Sequence, residues 1–347
     1  MVHNMRRLTR TVAVAALATA LALVSACSSG SDSGSGSGDG ASMRKVTYLT
    51  SFGNFGRDSY VWVAKEKGFF KEAGFDVDIK PGQGTGGVIQ TIVGGQADFG
   101  PIDLTGGILQ LGGGDDKPKD FVAVAAIQQR TMAAIVTTQD RGIASPKDLE
   151  GKTLADTPFS VVRNLFPTYA KLAGIDNSKV KWVNGEAQAL MGILASGQVD
   201  GIGQFVVGAP TVRAVAKKEP VVLPYSNVMT DLYGNALITS KKIAKEEPEM
   251  VKRFTAALLK GLEYSLANTK EAGDILKKNV AEANPAAAAA ELELMAGYVR
   301  SSNSGTALGA LDSGRVAKSI AILQGAGALK QNITPEQVVD FNLAPKA

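Results

Sequence analysis

Histidine and cysteine are almost missing from this sequence. There is one of each in 347 residues, His3 and Cys27, and nothing beyond residue 27 carries either. This removes Ser-His-Asp and Cys-His nucleophilic catalysis, histidine general bases and His/Cys zinc sites together. A single cysteine also forbids an internal disulfide. Carboxylates are plentiful, yet no paired-carboxylate pattern stands out, so neither a metal nor a catalytic residue is expected. A basic stripe is missing as well. Of the formal net charge of +4, three units are Arg6, Arg7 and Arg10, and no acid stands among residues 1–26. The remainder is close to neutral, so no nucleic-acid partner is expected.

Nucleotide cofactors are excluded on spacing. Gly82-Gln83-Gly84-Thr85-Gly86-Gly87 satisfies G-x-G-x-x-G, but the run before it, FDVDIKP, alternates apolar and polar residues, and the motif follows the second expected strand instead of the first. Gly151-Lys152-Thr153 ends like a P-loop, but Pro146 stands where its first glycine belongs. With no cofactor and no catalytic set, a binding role gains most.

The amino terminus does carry information. MVHNMRRLTR is basic, TVAVAALATALALV is apolar, and Val24-Ser25-Ala26-Cys27 ends the run in small residues. Residues 1–26 read as an export signal, too short for a comfortable membrane span. The four residues at its end look like a bacterial lipobox, which makes Cys27 the lipidation site; Arg6-Arg7 also allows twin-arginine export. Residues 28–42, almost all Gly and Ser, form a tether spanning roughly 20 Å. The expected location is extracytoplasmic, lipid-anchored to the outer face of the cell membrane.

The body repeats itself. GGQADFG (94–100) and SGQVDGIG (196–203) share Gly-Gln-x-Asp 102 positions apart. Ahead of them, Val88, Ile89, Ile92 and Val93 have the helical spacing of Leu190, Met191, Leu194 and Ala195, and Ala73-Gly74 matches Ala173-Gly174. Strands are expected at 45–50, 75–80, 97–102, 121–127, 133–137 and 180–183, with helices at 60–72, 104–111 and 161–172. Helix–strand–helix–GQxD–strand therefore occurs twice, predicting two similar α/β lobes with mainly parallel sheets. Met250, Val251, Phe254, Leu258 and Leu262 form one helical stripe expected to pack on a lobe. Further helices are expected at 271–280 and 286–299. Gln96, Asp98, Gln198 and Asp200 are expected to be structural punctuation outside any ligand site.

Five segments in order, VAKEKGFFKEAGFDVDI (63–79), GGQADFG, IASPKDLEGKT (143–153), SGQVDGI and the run 235–265, resemble the solute-binding proteins of bacterial ABC importers. The branch is the one serving nitrate, sulfonates and thiamine-precursor pyrimidines. The resemblance implies a two-lobed periplasmic-binding-protein-like fold (type II), with a hinge and a ligand cleft. The first lobe would be 43–137 plus a return segment with C-terminal helices at 231–347, and the second 138–230. It also implies a monomer whose partners are a small-molecule ligand, an ABC permease with its cytoplasmic ATPase, and the membrane through the lipid. An enzyme of the thiamine-pyrimidine synthase type shares the fold but relies on a histidine and a cysteine-rich motif that residues 28–347 lack. A ligand sensor docking to a membrane receptor is a third possibility.

In such sheets ligands sit beyond the C-terminal strand ends, near helix N-termini. That selects Phe52, Asn54, Arg57, Asp58 and Tyr60, then Gln83 and Thr85, then Asp103 and Thr105. In the second lobe it selects Thr157, Phe159, Ser160, Asn164, Gln204 and Phe205, and on the return crossing Tyr233 and Asn235. Asp103 and Gln204 are expected to face each other. Several pyrimidine-binding relatives carry a Trp near the end of the first strand and a His shortly after; Phe52 stands at the first position here and no His follows. Phe52, Tyr60, Phe159 and Phe205 can offer ring faces to a planar N-heterocycle. An oxyanion site built from Arg57, Arg130 and Arg163 is the alternative.

Overall fold

The computed structural model describes residues 43–229, 232–300 and 305–346. The export signal, Cys27 and the tether lie outside the described residues. The chain begins β1 (Arg44–Leu49), α1 (Ser59–Glu66), α2 (Phe69–Glu72), β2 (Phe75–Lys80), α3 (Thr85–Val93), β3 (Phe99–Asp103), α4 (Leu104–Gly112) and β4 (Phe121–Ala126). It continues with β5 (Ala133–Thr138), β6 (Thr153–Asp156), α5 (Val161–Ala173), β7 (Lys181–Asn184), α6 (Leu190–Ala195), β8 (Gly201–Phe205), α7 (Ala209–Ala216) and β9 (Pro220–Pro224). Then follow β10 (Asn235–Ser240), α8 (Lys241–Glu246), α9 (Pro248–Ala267), α10 (Thr269–Asn279), α11 (Pro285–Val299), α12 (Ser313–Gly325) and α13 (Pro335–Val338).

The strands form two five-stranded sheets, ordered β2-β1-β3-β10-β4 and β7-β6-β8-β5-β9. The two orders are the same pattern. In each, a parallel trio follows from helix crossovers, as the repeated sequence predicts. In each, the fourth strand is antiparallel to both neighbours: β10 between β3 and β4, β5 between β8 and β9. These two strands are the ones the chain uses to pass between sheets, so the sheets are mixed. Helical patterning shows only the crossover-linked trio, because a strand arriving from the other sheet needs no helix before it.

The helix expected over 60–72 is interrupted. Gly68 adopts φ 79°, a left-handed turn open to glycine, and separates α1 from α2. The stripe on α9 does pack on the first sheet. Its Phe254 stacks on Phe99 at 4.2 Å and on Phe70 at 5.0 Å between ring centroids, and Met250, Val251, Leu258 and Leu262 are buried beside it. This cluster fixes the C-terminal helices to the first sheet, and α11 goes on to touch the second half through α7.

Candidate functional site

The two crossings between sheets run against each other, through residues 127–132 on one side and 225–229 and 232–234 on the other. Thr131 N–H donates to Leu232 O at 2.8 Å, Gln128 N–H to Asn235 O at 2.9 Å, and Asn235 N–H to Gln128 Oε1 at 2.9 Å. Gly234 is required for this approach, since a Cβ there would lie 2.4 Å from Arg130 O. Thr131 ties its crossing to the first sheet, its hydroxyl donating to Asp103 Oδ2 at 2.9 Å, while Ala133, two residues on, pairs through its backbone with Phe205 of the second.

Beyond this hinge the strand ends of the two sheets meet. The Phe52 ring lies edge-on to Phe205 at 6.1 Å. The Arg57 guanidinium donates to Phe52 O at 3.0 Å and lies over the rings of Phe55 and Phe205 at 4.6 and 4.9 Å. At the rim, Thr157 Oγ1 donates to Gln83 O at 3.1 Å, Gly86 N–H to Phe159 O at 3.0 Å, and Asn54 N–H to Gln188 Oε1 at 2.9 Å. The structure thus brings Phe52, Asn54, Arg57, Gln83 and Gly86 of the first half against Thr157, Phe159, Gln188 and Phe205 of the second.

Six buried side-chain atoms in this region have no hydrogen-bond partner: Asn54 Oδ1 and Arg57 Nε and Nη1, the latter two facing Asp58 and Glu291, and then Gln204 Nε2, Asn235 Oδ1 and Asp156 Oδ2. The last three residues are 1%, 3% and 0% exposed. Each such atom costs about 1–3 kcal/mol of desolvation while unmet. Gln204 uses its Oε1 on the Phe205 N–H, which leaves the amide nitrogen as a donor. Asn235 pairs in register with Asp103. Asp103 is itself satisfied, accepting from Thr105 N–H at 2.9 Å and from Thr131. Burial pushes the Asp103 carboxyl up to about 6 and that of Asp156 up to about 7.

The other expected residues are placed as follows. The Tyr60 hydroxyl meets Tyr48 at 3.1 Å inside the first core. Asp58 accepts from the Ser51 N–H and hydroxyl. Thr105 donates to Tyr233 O, and Tyr233 turns its own hydroxyl to the Asp312 N–H, under the Arg315 guanidinium. Ser160 caps α5. Asn164 is exposed. Phe159 is 43% exposed and lines an outer cavity of about 400 Å³ with Gln83, Thr157 and Asn184. Among the four aromatic candidates, only Phe52 and Phe205 contact each other.

The three arginines do not converge. Arg57 sits between Asp58 and Glu291 at 3.8 and 3.9 Å, Arg130 donates to Gly297 O, and Arg163 donates to Asn184 Oδ1. Arg57 is held below its ordinary pKa by burial, opposed by Glu291 and Asp58. Burial raises both carboxyls, with Arg57 pulling them back. Glu291 also joins the halves, accepting from Arg57 N–H at 3.1 Å and from the Thr211 hydroxyl of α7.

Asp156, Gln188 and Glu291 escaped the sequence reading. Asp156 ends β6, a four-residue strand too short to show a period, though it precedes Thr157 as Asp103 precedes Leu104. Gln188 and Glu291 have no local signal; only the packing of distant elements gives them partners.

Two mixed α/β sheets joined by paired crossings, with strand ends meeting between them, define a periplasmic binding protein fold. Solved structures share it. The alkanesulfonate-binding protein SsuA from Xanthomonas axonopodis pv. citri aligns with a TM-score of 0.68 over 85% of this chain and 98% of its own, at 14% identity. The periplasmic nitrate-binding protein NrtA from Synechocystis PCC 6803 aligns with a TM-score of 0.66 over 87% of each chain, at 12% identity. A Candida albicans protein described as having the generic periplasmic binding protein fold aligns at 0.63 over 86% of this chain and 96% of its own, at 14% identity. At these identities the likeness establishes the fold alone. Residues 59–272 match the family described as NMT1/THI5 like, and the chain belongs to that family. A formylaminopyrimidine-binding protein from Halalkalibacterium halodurans is 27% identical over 234 residues, 65% of this chain and 68% of the relative.

Proposed function

We propose that this protein is the extracytoplasmic substrate-binding component of an ABC importer. It captures a small planar N-heterocycle of the thiamine-precursor pyrimidine type between its two sheets and delivers it to a permease driven by a cytoplasmic ATPase. Lipidated Cys27 and the Gly/Ser tether hold it at the membrane. The observation that carries the reading is the trio of buried, unpartnered polar atoms, Gln204 Nε2, Asn235 Oδ1 and Asp156 Oδ2, in the region of the Phe52–Phe205 pair. Aromatic faces with a few fixed donors and acceptors are what a flat, nitrogen-bearing ring requires. The family membership and the formylaminopyrimidine-binding relative support the same class. Closure of the lobes over the ligand presents the surface that the permease reads.

The test is native mass spectrometry of the purified protein, followed by a thermal-shift panel of pyrimidines, sulfonates and nitrate. An aminopyrimidine at about 100 times its dissociation constant should add roughly 2.7 kcal/mol of stability. Chemical turnover of a bound candidate, or stabilisation by sulfonates alone, defeats the proposal.

A further inference from the structure

The first turns of α3, α4 and α5 meet at one point. A Cβ on Gly106, in the first turn of α4, would lie 2.9 Å from Thr85 Cγ2 and 3.0 Å from Val161 Cγ2. Thr85 opens α3 and Val161 opens α5. Three converging helix N-termini, with free N–H groups and positive dipole ends, make a ready site for an anion. In this chain the protein itself engages all three. Asp103 Oδ1 accepts from Thr105 N–H at the start of α4. Asp156 Oδ1 accepts from Thr157 N–H at 2.7 Å, and Ser160 Oγ from Val162 N–H at 3.1 Å, ahead of and within α5. Gly86 N–H of α3 donates to Phe159 O. α4 therefore carries a buried carboxylate at its N-terminus already, and the Asp156 carboxyl ahead of α5, raised by burial, is pulled back in part by the Arg163 N–H in the first turn of that helix.

The wider charge balance points the same way. The buried ionisable side chains around the strand ends are Asp58, Asp103, Asp156 and Glu291 against Arg57. The unpartnered atoms add a pattern: the Arg57 Nε and Nη1 donors face Asp58 and Glu291 at 3.8 and 3.9 Å, and of the others near the strand ends Asn54 Oδ1, Asn235 Oδ1 and Asp156 Oδ2 accept while Gln204 Nε2 donates. A ligand that meets these four brings N–H donors and one acceptor. An oxyanion brings acceptors alone and would stand beside buried carboxylates.

We infer that the cleft selects its ligand by charge: it takes a neutral or cationic ligand bearing N–H donors and rejects oxyanions, with Asp103 and Asp156 filling the helix N-termini an oxyanion would need. This rests on the proposed cleft being the ligand site; it does not rest on the kind of ring bound.

Two measurements on the full chain test it. In the first, sulfate, methanesulfonate and nitrate are titrated in thermal-shift assays against chloride at equal ionic strength. No saturable rise beyond chloride is expected, and a saturable rise with any of the three overturns the inference. In the second, calorimetry compares 4-amino-5-hydroxymethyl-2-methylpyrimidine with its phosphate ester. The alcohol should bind at least 100-fold more tightly, and equal or tighter binding of the ester overturns the inference. If neither pyrimidine binds while the anions still give no rise, the ring assignment fails and the charge rule stands. Asp156→Asn should let sulfate stabilise the protein saturably, or narrow the alcohol-to-ester ratio at least tenfold. Asp103→Asn serves as the second variant should the first not fold. A folded variant that behaves as wild type in both assays also overturns the inference.

Discussion

Asp98 and Asp200, 102 positions apart, make the same set of bonds in the two halves. Asp98 Oδ2 accepts from Thr47 N–H at 2.8 Å, and Asp200 Oδ2 from Thr153 N–H at 2.8 Å. Their own N–H groups donate to Thr47 O and Thr153 O. Their carbonyls accept from Thr239 Oγ1 at 2.8 Å and Thr137 Oγ1 at 2.5 Å, on the two crossing strands. Each aspartate thus pins the start of a central strand to both its neighbours. The preceding Gly95 and Gly197 turn with φ 72° and 82°, a backbone that disfavours any side chain.

Asp98→Ala and Asp200→Ala should each cost about 1–3 kcal/mol, since a strand N–H loses a charged acceptor. Urea denaturation checks this. Ligand affinity should stay within about twofold; a tenfold loss of affinity without a loss of stability would contradict the structural role.

Glu291→Gln should destabilise the protein by about 3–5 kcal/mol. It leaves Arg57 buried with Asp58 as its single carboxylate partner and weakens the hold on Thr211. Chemical denaturation with paired Arg57→Met and Glu291→Gln variants measures this. The double variant should recover part of the loss, and full additivity would show that the two side chains do not act on each other.

Burial and ion pairing give the carboxyls opposite pH dependences. Asp156 and Asp103 are raised by burial to about 7 and about 6, above the unfolded value near 4. Their contribution is fully present below about pH 4 and is lost as pH rises through 6 and 7. Asp140 is held at about 2 by its bond from Lys218, and Glu150 at about 2 by its bond from Lys147. Their contribution is present above about pH 4 and is lost as pH falls toward 2. Stability without ligand should therefore peak near pH 4 and decline from there toward pH 7. Asp156→Asn should flatten the decline from pH 5 to 8 in urea denaturation.

Gly203→Ala should be strongly destabilising. Its Cβ would lie 1.8 Å from Asp156 Oδ2 and 2.4 Å from Asp156 Cγ, so the carboxylate must leave its place over β8. A loss of about 2–3 kcal/mol is expected. Asp156→Gly in the same chain should restore part of it.

Phe52→Ala and Phe205→Ala should weaken binding of the proposed heterocycle ten- to 100-fold, by removing a ring face and loosening the neighbouring one. Phe159→Ala, at the exposed rim, should change affinity less than threefold. Calorimetry with the three variants checks the ranking, and an inverted ranking would move the site outward to the rim cavity.

The helix faces were legible because burial on one side imposes a 3.6-residue period: Val88, Ile89 and Ile92 are all buried. The strand ends were legible from the turns and helix starts that follow them, and Phe52, Gln83, Thr157 and Phe205 do meet. Asp156 was not, because β6 spans only four residues. Tyr60 shows the converse difficulty. It follows the mouth in sequence, but its helix turns the hydroxyl to Tyr48.

The sequence by itself determined the repeat, the two glycine turns, the apolar stripe of α9 and the absence of histidine and cysteine chemistry beyond residue 27. These are local, set by period, backbone freedom and side-chain inventory. Only the tertiary structure decided that both sheets are mixed, that Glu291 reaches Arg57 across 234 positions, and which buried polar atoms lack partners. Hydrogen-bond satisfaction and charge balance depend on what packs against a group. For the GQxD turns and for the cleft alike, those partners arrive from strands and helices far away in the chain.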